Sequence, residues 1–268
     1  MGGSLSSIEH PASSIASPQA LNLTNAHKLV GLRLSFARIQ ESRGILKMCS
    51  HTLAGQRLME IFELLSNHFG PQNWWPAETE LEMIVGAVLT QNTNWKNVEK
   101  AIENLKGKGL LSLEGLRSLA VTELAQEIRP AGYFNIKAKR LMNLIDFIVA
   151  YYQADLSLFL EDGTQNLRQG LLSVKGVGPE TADSILLYAA HRPVFVIDTY
   201  THRILSRHGM TEEQTTYDEL QRLFMDHLSE DTSLFNEFHA LIVQTGKTYC
   251  RRKPLCTRCP LEGWGPFD

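Results

Sequence analysis

The chain has 268 residues, 43% of them hydrophobic, and a formal charge of −3. That is enough apolar material for one large core or two smaller lobes. No apolar run approaches the roughly 18 residues needed to span a membrane, so a soluble protein is expected. The acidic balance excludes a global attraction to nucleic acid, and any such binding must use local basic patches.

Residues 1–25 are rich in Ser, Ala, Asn and Pro without helical periodicity, and little order is expected there. Residues 27–47 carry Lys28, Arg33, Arg38, Arg43 and Lys47 against one acid, Glu41, as a basic amphipathic helix would. A transit peptide is one reading of this region, and Met1-Gly2 with Ser6 fits a myristoylation pattern. A start at Met48, with residues 1–47 an extraneous extension, is the favoured reading.

Apolar residues at helical spacing predict a helix over 53–69, stopped by Gly70-Pro71. An aromatic knot, Asn73-Trp74-Trp75-Pro76, leads into a nearly all-apolar helix over 81–89, the expected centre of a helical core. That helix ends at a polar cluster, Thr90-Gln91-Asn92-Thr93-Asn94-Trp95. The three tryptophans read either as packing or as the lining of a pocket for a flat ring. Amphipathic helices follow at about 96–106, 112–119 and 121–128, broken by Arg129-Pro130-Ala131-Gly132. Tyr133-Phe134-Asn135-Ile136-Lys137-Ala138-Lys139-Arg140 opens a long helix to about Tyr152. Rings that wedge or stack beside cations that hold phosphate suit a nucleic-acid contact; a solvated helix face is the equal alternative.

The stretch Leu171–Arg207 carries the clearest chemistry. A helix ends in Val174-Lys175-Gly176-Val177-Gly178, and Pro179 opens the next one. Two glycines one residue apart permit positive φ and close backbone approach, and the freed N–H groups at the helix start suit an anion. The apolar run Val194-Phe195-Val196-Ile197 then delivers Asp198, with Arg203, Arg207 and His208 beyond it. Asp198 reads either as a catalytic carboxylate or as the N-cap of the helix it begins. Helices near 216–229 and 232–246 follow, and no alternating strand pattern of useful length appears outside 194–197, so the predicted fold class is all-α. The tail from Lys247 to Leu261 holds five Lys or Arg and no acid. Three of the four cysteines fall in it, Cys250, Cys256 and Cys259, which argues for a metal loop rather than a disulfide framework.

In order along the chain, Leu-Thr-Gln-Asn-Thr, Gly-Tyr-Phe-Asn-x-Lys-Ala, Val-Lys-Gly-Val-Gly-x-x-Thr-Ala, Val-Ile-Asp-Thr and a Cys-rich tail resemble the endonuclease III-like, helix-hairpin-helix superfamily of DNA glycosylases. The resemblance covers about residues 53–261. It implies two helical lobes around a DNA-binding cleft, one made from 51–77 with 194–246 and the other from 78–193, followed by the tail 247–268. It implies Asp198 as the catalytic aspartate and Asn92 and Tyr133 as the residues that fill the gap left by a flipped nucleotide. The hairpin of Lys175, Gly176, Val177 and Gly178 is then a phosphate grip, with Lys137, Arg251 and Arg252 as further DNA contacts. Where bifunctional members carry a lysine nucleophile two residues past the second hairpin glycine, this chain has Glu180; Lys175 and Lys247 are nearby candidates but neither occupies that position, so a monofunctional enzyme is expected, with a separate AP endonuclease acting next.

Trp-Trp-Pro, Gln-Asn-Thr-x-aromatic and Lys-Gly-Val-Gly-x-Glu are most similar to the bacterial 3-methyladenine DNA glycosylase III branch. This implies a substrate site of Trp74, Trp75, Pro76, Gln91, Trp95 and Glu180, in which a cationic alkylated adenine is held by stacking and cation–π attraction. Removal of a deaminated, oxidised or mismatched pyrimidine with endonuclease III-like AP lyase activity is the second reading, and a catalytically silent DNA-binding protein the third. The resemblance also implies a monomer in the cytoplasm, at the nucleoid. Members with a [4Fe–4S] cluster carry four cysteine ligands. Here the pattern is Cys250-x5-Cys256-x2-Cys259, with Gly265 at the fourth position. An incomplete ligand set completed by Cys49 or a carboxylate stands beside a decayed site whose basic residues still touch DNA.

Overall fold

The computed structural model describes residues 52–265. The extension 1–50, with its basic stretch, the Gly2 pattern and Met48, lies outside the described residues, as does Cys49.

Most of the helices begin where the sequence supplies a side-chain cap. The Thr52 hydroxyl accepts from Gly55 N–H at 3.1 Å and opens α1, Leu53–Phe69, and Gly70 ends it at φ +69°. Thr79 caps α2, Glu80–Leu89, and Asn94 caps α3, Trp95–Gly107. Such caps satisfy backbone N–H groups that the helix leaves unpaired, and each contributes about 1 kcal/mol. Short helices α4, Leu113–Arg117, and α5, Val121–Glu127, precede a 3₁₀ turn at Arg129–Ala131 and the long α6, Phe134–Tyr152. Then come α7, Leu156–Glu161, α8, Thr164–Ser173, and α9, Pro179–Ser184, which runs into a single π turn at Ile185–Ala189. The last three helices are α10, Thr199–Arg207, α11, Tyr217–Met225, and α12, Thr232–Thr248, with a 3₁₀ turn at Cys256–Arg258 in the tail.

The fold is all-α, and among the described residues there is no strand. As its apolar sequence predicts, α2 is buried from Leu81 to Leu89 and packs against α3, α6, α9 and the π turn. Around α12 gather α1, α10 and the π turn, and α11 packs on α1. The strand-like run Val194–Ile197 is buried extended chain without a sheet partner. Side chains of α11 supply its hydrogen bonds instead: Gln221 Nε2 donates to Phe195 O at 2.7 Å, and Ile197 N–H donates to the Tyr217 hydroxyl at 3.4 Å. Phe195 itself stacks on Phe224 at 3.7 Å and meets Phe235 and Phe238 edge-on, so this run is anchored on both sides. Its end, Asp198, is thereby held in a defined place. No helix among the described residues is long and apolar enough to cross a membrane.

A second anchor is fully buried. Asp183 of α9 accepts from Arg168 Nε and Nη2 at 2.7 and 3.0 Å, from Tyr217 Oη at 2.8 Å and from Gln221 Nε2 at 2.8 Å. A carboxylate taken out of water is tolerated only when its oxygens are satisfied in this way. The network joins α8, α9 and α11 behind the Gly176–Gly178 turn.

Candidate active site

Only one of the two hairpin glycines uses its conformational freedom. Gly176 has φ +102°, and a Cβ there would collide with the side chain of Arg140; Gly178 is at φ −100° with open space around it. The turn is tied to the core by Gln91, whose Nε2 donates to Thr181 Oγ1 at 2.9 Å and Gly176 O at 3.3 Å while its Oε1 accepts from Arg140. Asn143 Nδ2 also donates to Lys175 O at 2.8 Å. Gln91 was expected among the substrate residues; its amide nitrogen bonds the hairpin and the helix after it, and its amide oxygen bonds Arg140 of α6. Lys175 is exposed and Val177 is buried beneath the turn.

Asp198 is both of the things its position allows. Its Oδ1 caps α10, accepting from Thr201 N–H at 2.7 Å and Thr201 Oγ1 at 2.9 Å. Its Oδ2 has no hydrogen-bond partner among the described residues and lies 3.8 Å from His239 Nε2. With its side chain only 10% exposed, the free oxygen is set in a largely desolvated corner. Glu180 faces it from α9. Glu180 reaches solvent but is hemmed in by protein, and lost hydration, followed by repulsion from Asp198, raises its carboxyl to about 7. Lys247, near the end of α12, sits beside the same carboxylate; burial lowers its ammonium and Asp198 opposes that shift.

Beside this corner stands an aromatic wall. Trp75 meets Trp95 edge-to-face at 5.0 Å and 89°, and Trp74 lies 5.5 Å from Trp75 and 6.4 Å from Trp95. The Trp74–Trp75 peptide is cis. Lys247 Nζ lies 5.1 Å from the centroid of Trp74, which connects the wall to the carboxylate corner. Pro76, next in the chain, is exposed. The wall depends on Gly86 of α2, which the sequence reading passed over. An added Cβ there would come within 3.2 Å of Trp95 and 3.6 Å of Trp75. The indole N–H groups of Trp75 and Trp95 are buried and unpaired among the described residues.

Asn92 and Tyr133 share an uncommon conformation, with φ +54° and +46°, and both are exposed, Tyr133 by 71%. Such residues project from tight turns at the ends of α2 and the start of α6. Lys137 departs from expectation. It is 1% exposed and donates to Leu89 O and Ala131 O, both at 2.8 Å, so it cannot reach a phosphate. The reason is its helical phase: Lys137, Ala138, Leu141 and Leu144 share the buried face of α6.

A model of the HhH-GPD superfamily of base excision DNA repair proteins matches residues 85–230. The chain belongs to this superfamily. Its relatives are endonuclease III-like. A provisionally assigned DNA repair glycosylase of Methanocaldococcus jannaschii is 48% identical over 208 residues, which is 77% of this chain and 94% of the relative. Endonuclease III of Sulfolobus acidocaldarius is 30% identical over 182 residues, 68% of this chain and 79% of that one. The solved H. pylori 3-methyladenine DNA glycosylase bound to 1,N6-ethenoadenine superposes with a TM-score of 0.64 at 32% identity, over 72% of this chain and 97% of that one.

Cys250 is buried, Cys256 exposed and Cys259 between the two, and all three line a cavity of about 90 Å³ with Arg207, His208 and Glu262. Arg207 Nη1 approaches Cys250 Sγ at 3.4 Å and donates to Arg251 O at 2.7 Å. Arg203 Nε donates to Cys250 O at 2.7 Å. Among the described residues no group of three or more His, Cys, Asp or Glu side chains is placed to hold a metal ion. The described loop thus supplies three thiols against the four that a [4Fe–4S] cluster takes, the outside candidate Cys49 lies beyond the described residues, and two arginines of α10 fasten the loop. Arg251 and Arg252 are exposed on it.

Proposed function

We infer that this protein is a monofunctional DNA glycosylase that removes an alkylated purine from duplex DNA. The observation that carries the reading is the half-used carboxylate of Asp198, one oxygen spent on holding the helix and the other open beside an aromatic wall. A target base must leave the stack before its sugar can be reached. Trp74, Trp75 and Trp95 would receive it, with Pro76 at the rim, and a flat cationic base suits their π faces. The ethenoadenine held by the H. pylori glycosylase supports a flat alkylated purine as the guest.

As the bond between C1′ and the base nitrogen breaks, its electron pair leaves with the base and positive charge develops on the sugar. Asp198 stabilises that charge, and stabilisation of this kind is large where water is excluded. A water then adds to C1′ and gives its proton to the Asp198 carboxylate. Glu180, still partly protonated at neutral pH, can donate a hydrogen bond toward a purine that needs one to depart. The carboxylate at position 180 cannot form the Schiff base that strand cleavage requires, and Lys247, the lysine beside Asp198, lies over the Trp74 ring rather than at that position, so the product is read as an intact strand with an abasic site, left to a separate AP endonuclease.

DNA contact is assigned to Asn92 and Tyr133 as wedges, to Lys175, Gly176, Val177 and Gly178 at the backbone, and to Arg251 and Arg252 in the basic tail. The cleft would lie between the lobe of 51–77 with 194–246 and the lobe of 78–193. The protein would act as a monomer in the cytoplasm, at the nucleoid.

The test follows base release and strand scission separately on dimethyl sulfate-treated duplex DNA and on oligonucleotides carrying uracil, a thymine mismatch or an oxidised pyrimidine. Release of alkylated purine without scission is expected. Glu180→Lys should make borohydride trapping of a covalent complex appear where the parent gives none. Trapping by the parent protein would overturn the monofunctional reading, and release of pyrimidines alone would overturn the substrate.

A further inference from the structure

His239 is a fully buried histidine in the middle of α12, and nothing in the reaction described above uses it. It stands between two groups. Its Nδ1 is 2.5 Å from the hydroxyl of Tyr188, on the π turn, and its Nε2 is 3.8 Å from the open oxygen of Asp198. Tyr188 is also buried, and its ring packs 5.1 Å from that of Trp75. A chain of contacts thus runs from the aromatic wall through Tyr188 and His239 to the carboxylate.

A neutral imidazole carries one N–H, and the hydrogen bond at one nitrogen decides where it sits. Were the proton on Nδ1, the Nε2 lone pair would face an anionic oxygen across a dry gap. Were it on Nε2, the N–H dipole would point at that oxygen and Nδ1 would accept from Tyr188. The second arrangement satisfies both neighbours. The charges agree with it: burial pulls the histidine below its ordinary range against the opposing pull of Asp198, with Lys247 adding a smaller lowering, while burial next to Asp198 drives the phenol well above its own range, so it stays a donor. Other titratable groups facing this corner are Glu180 from α9, and Lys247 and Glu237 from α12.

We propose that Tyr188 and His239 are positioning residues: Tyr188 locks His239 in its Nε2–H form, and that N–H orients the open oxygen of Asp198 toward the sugar. At 3.8 Å the N–H is too far to be a full hydrogen bond and near enough to favour the anion. The carboxylate therefore keeps its free lone pairs for the reaction instead of spending them on a donor.

The inference rests on Asp198 being the catalytic carboxylate, and the experiment separates the two. Single-turnover base release from dimethyl sulfate-treated DNA is measured across pH for the parent, Asp198→Asn, Tyr188→Phe, His239→Gln, His239→Asn and His239→Leu. ¹⁵N-histidine NMR of the full chain reads the tautomer directly. Gln places an N–H where Nε2 stands and should retain release within about 3-fold. Asn, Leu and Tyr188→Phe should each lose about 10-fold, roughly the factor that 1.4 kcal/mol corresponds to, and the acid limb of the pH profile should move upward. The parent spectrum should show Nε2–H, and Tyr188→Phe should show a second tautomer. An Nδ1–H parent, or a His239→Leu enzyme with the parent's rate and pH profile while Asp198→Asn is dead, would overturn the proposal. Undiminished release by Asp198→Asn would remove the reading of Asp198 itself.

Discussion

Two aspartates at the heart of this molecule are nearly buried, and they differ in how their oxygens are used. Asp183 is 0% exposed and receives four hydrogen bonds from Arg168, Tyr217 and Gln221, so neither oxygen is free. Asp198 spends Oδ1 on Thr201 and leaves Oδ2 unpaired beside His239, Glu180 and Lys247. A saturated carboxylate is a fastening. An unsaturated one in a desolvated corner is a source of field, kept by a fold that must stabilise it from elsewhere. Burial is common to the two carboxylates; the count of donors per oxygen is what differs between them.

The contrast breaks most sharply under Asp198→Asn. Asn caps a helix about as well as Asp, so the melting temperature should hold while base release falls about 10³-fold, the order expected when one preorganised electrostatic group is lost. Single-turnover kinetics and a thermal melt on the same preparation check both halves. A protein that melts early would make Asp198 a fastening too. Asp183→Asn should do the reverse. Removing one partner of a buried pair leaves Arg168 with only one acid, the exposed Asp218, 3.9 Å away, and costs about 3–5 kcal/mol, read by urea unfolding, while release per folded molecule stays near the parent's. The cysteine loop supplies a milder contrast. Cys256 is exposed and its sulfur holds nothing that keeps the loop in place, so Cys256→Ser should change stability by less than about 0.5 kcal/mol, as surface substitutions do.

The helical architecture was legible because its signals are local. The apolar spacing over 53–69 matches α1 residue for residue, and the all-apolar run at 81–89 became the buried α2 one residue longer. Asp198 was visible at the end of an apolar run, and Trp74, Trp75 and Trp95 do come together. Tyr188 and His239 were not seen, since each lies inside an apolar helical stretch, Ile-Leu-Leu-Tyr-Ala and Phe-His-Ala-Leu-Ile-Val, where a single polar residue reads as packing. Their meaning depends on a contact between residues far apart in sequence. Gly86 escaped for the same reason, because its neighbour is a tryptophan on the next helix. The missing fourth cysteine was plain from spacing, but the arginines that hold the loop in its place belong to α10 and appear only in three dimensions.

Lys137 is a buried cation, and it tests the same rule on the opposite charge. Its ammonium is satisfied by two carbonyls, Leu89 O and Ala131 O, and no carboxylate is paired with it. Burial, aided by Arg140, lowers it from 10.5 to about 8. The sign follows: between pH 8 and 10.5 the unfolded chain holds this proton and the folded chain does not, so folding stability gains from this group as pH rises through that window. Below pH 8 both states are protonated and its contribution is constant. Lys137→Met should therefore flatten the difference in unfolding free energy between neutral and alkaline pH relative to the parent, measured by urea unfolding at both. Equal slopes in parent and variant would mean that the ammonium keeps its proton throughout, and that two carbonyl acceptors fasten a buried cation as firmly as four donors fasten Asp183.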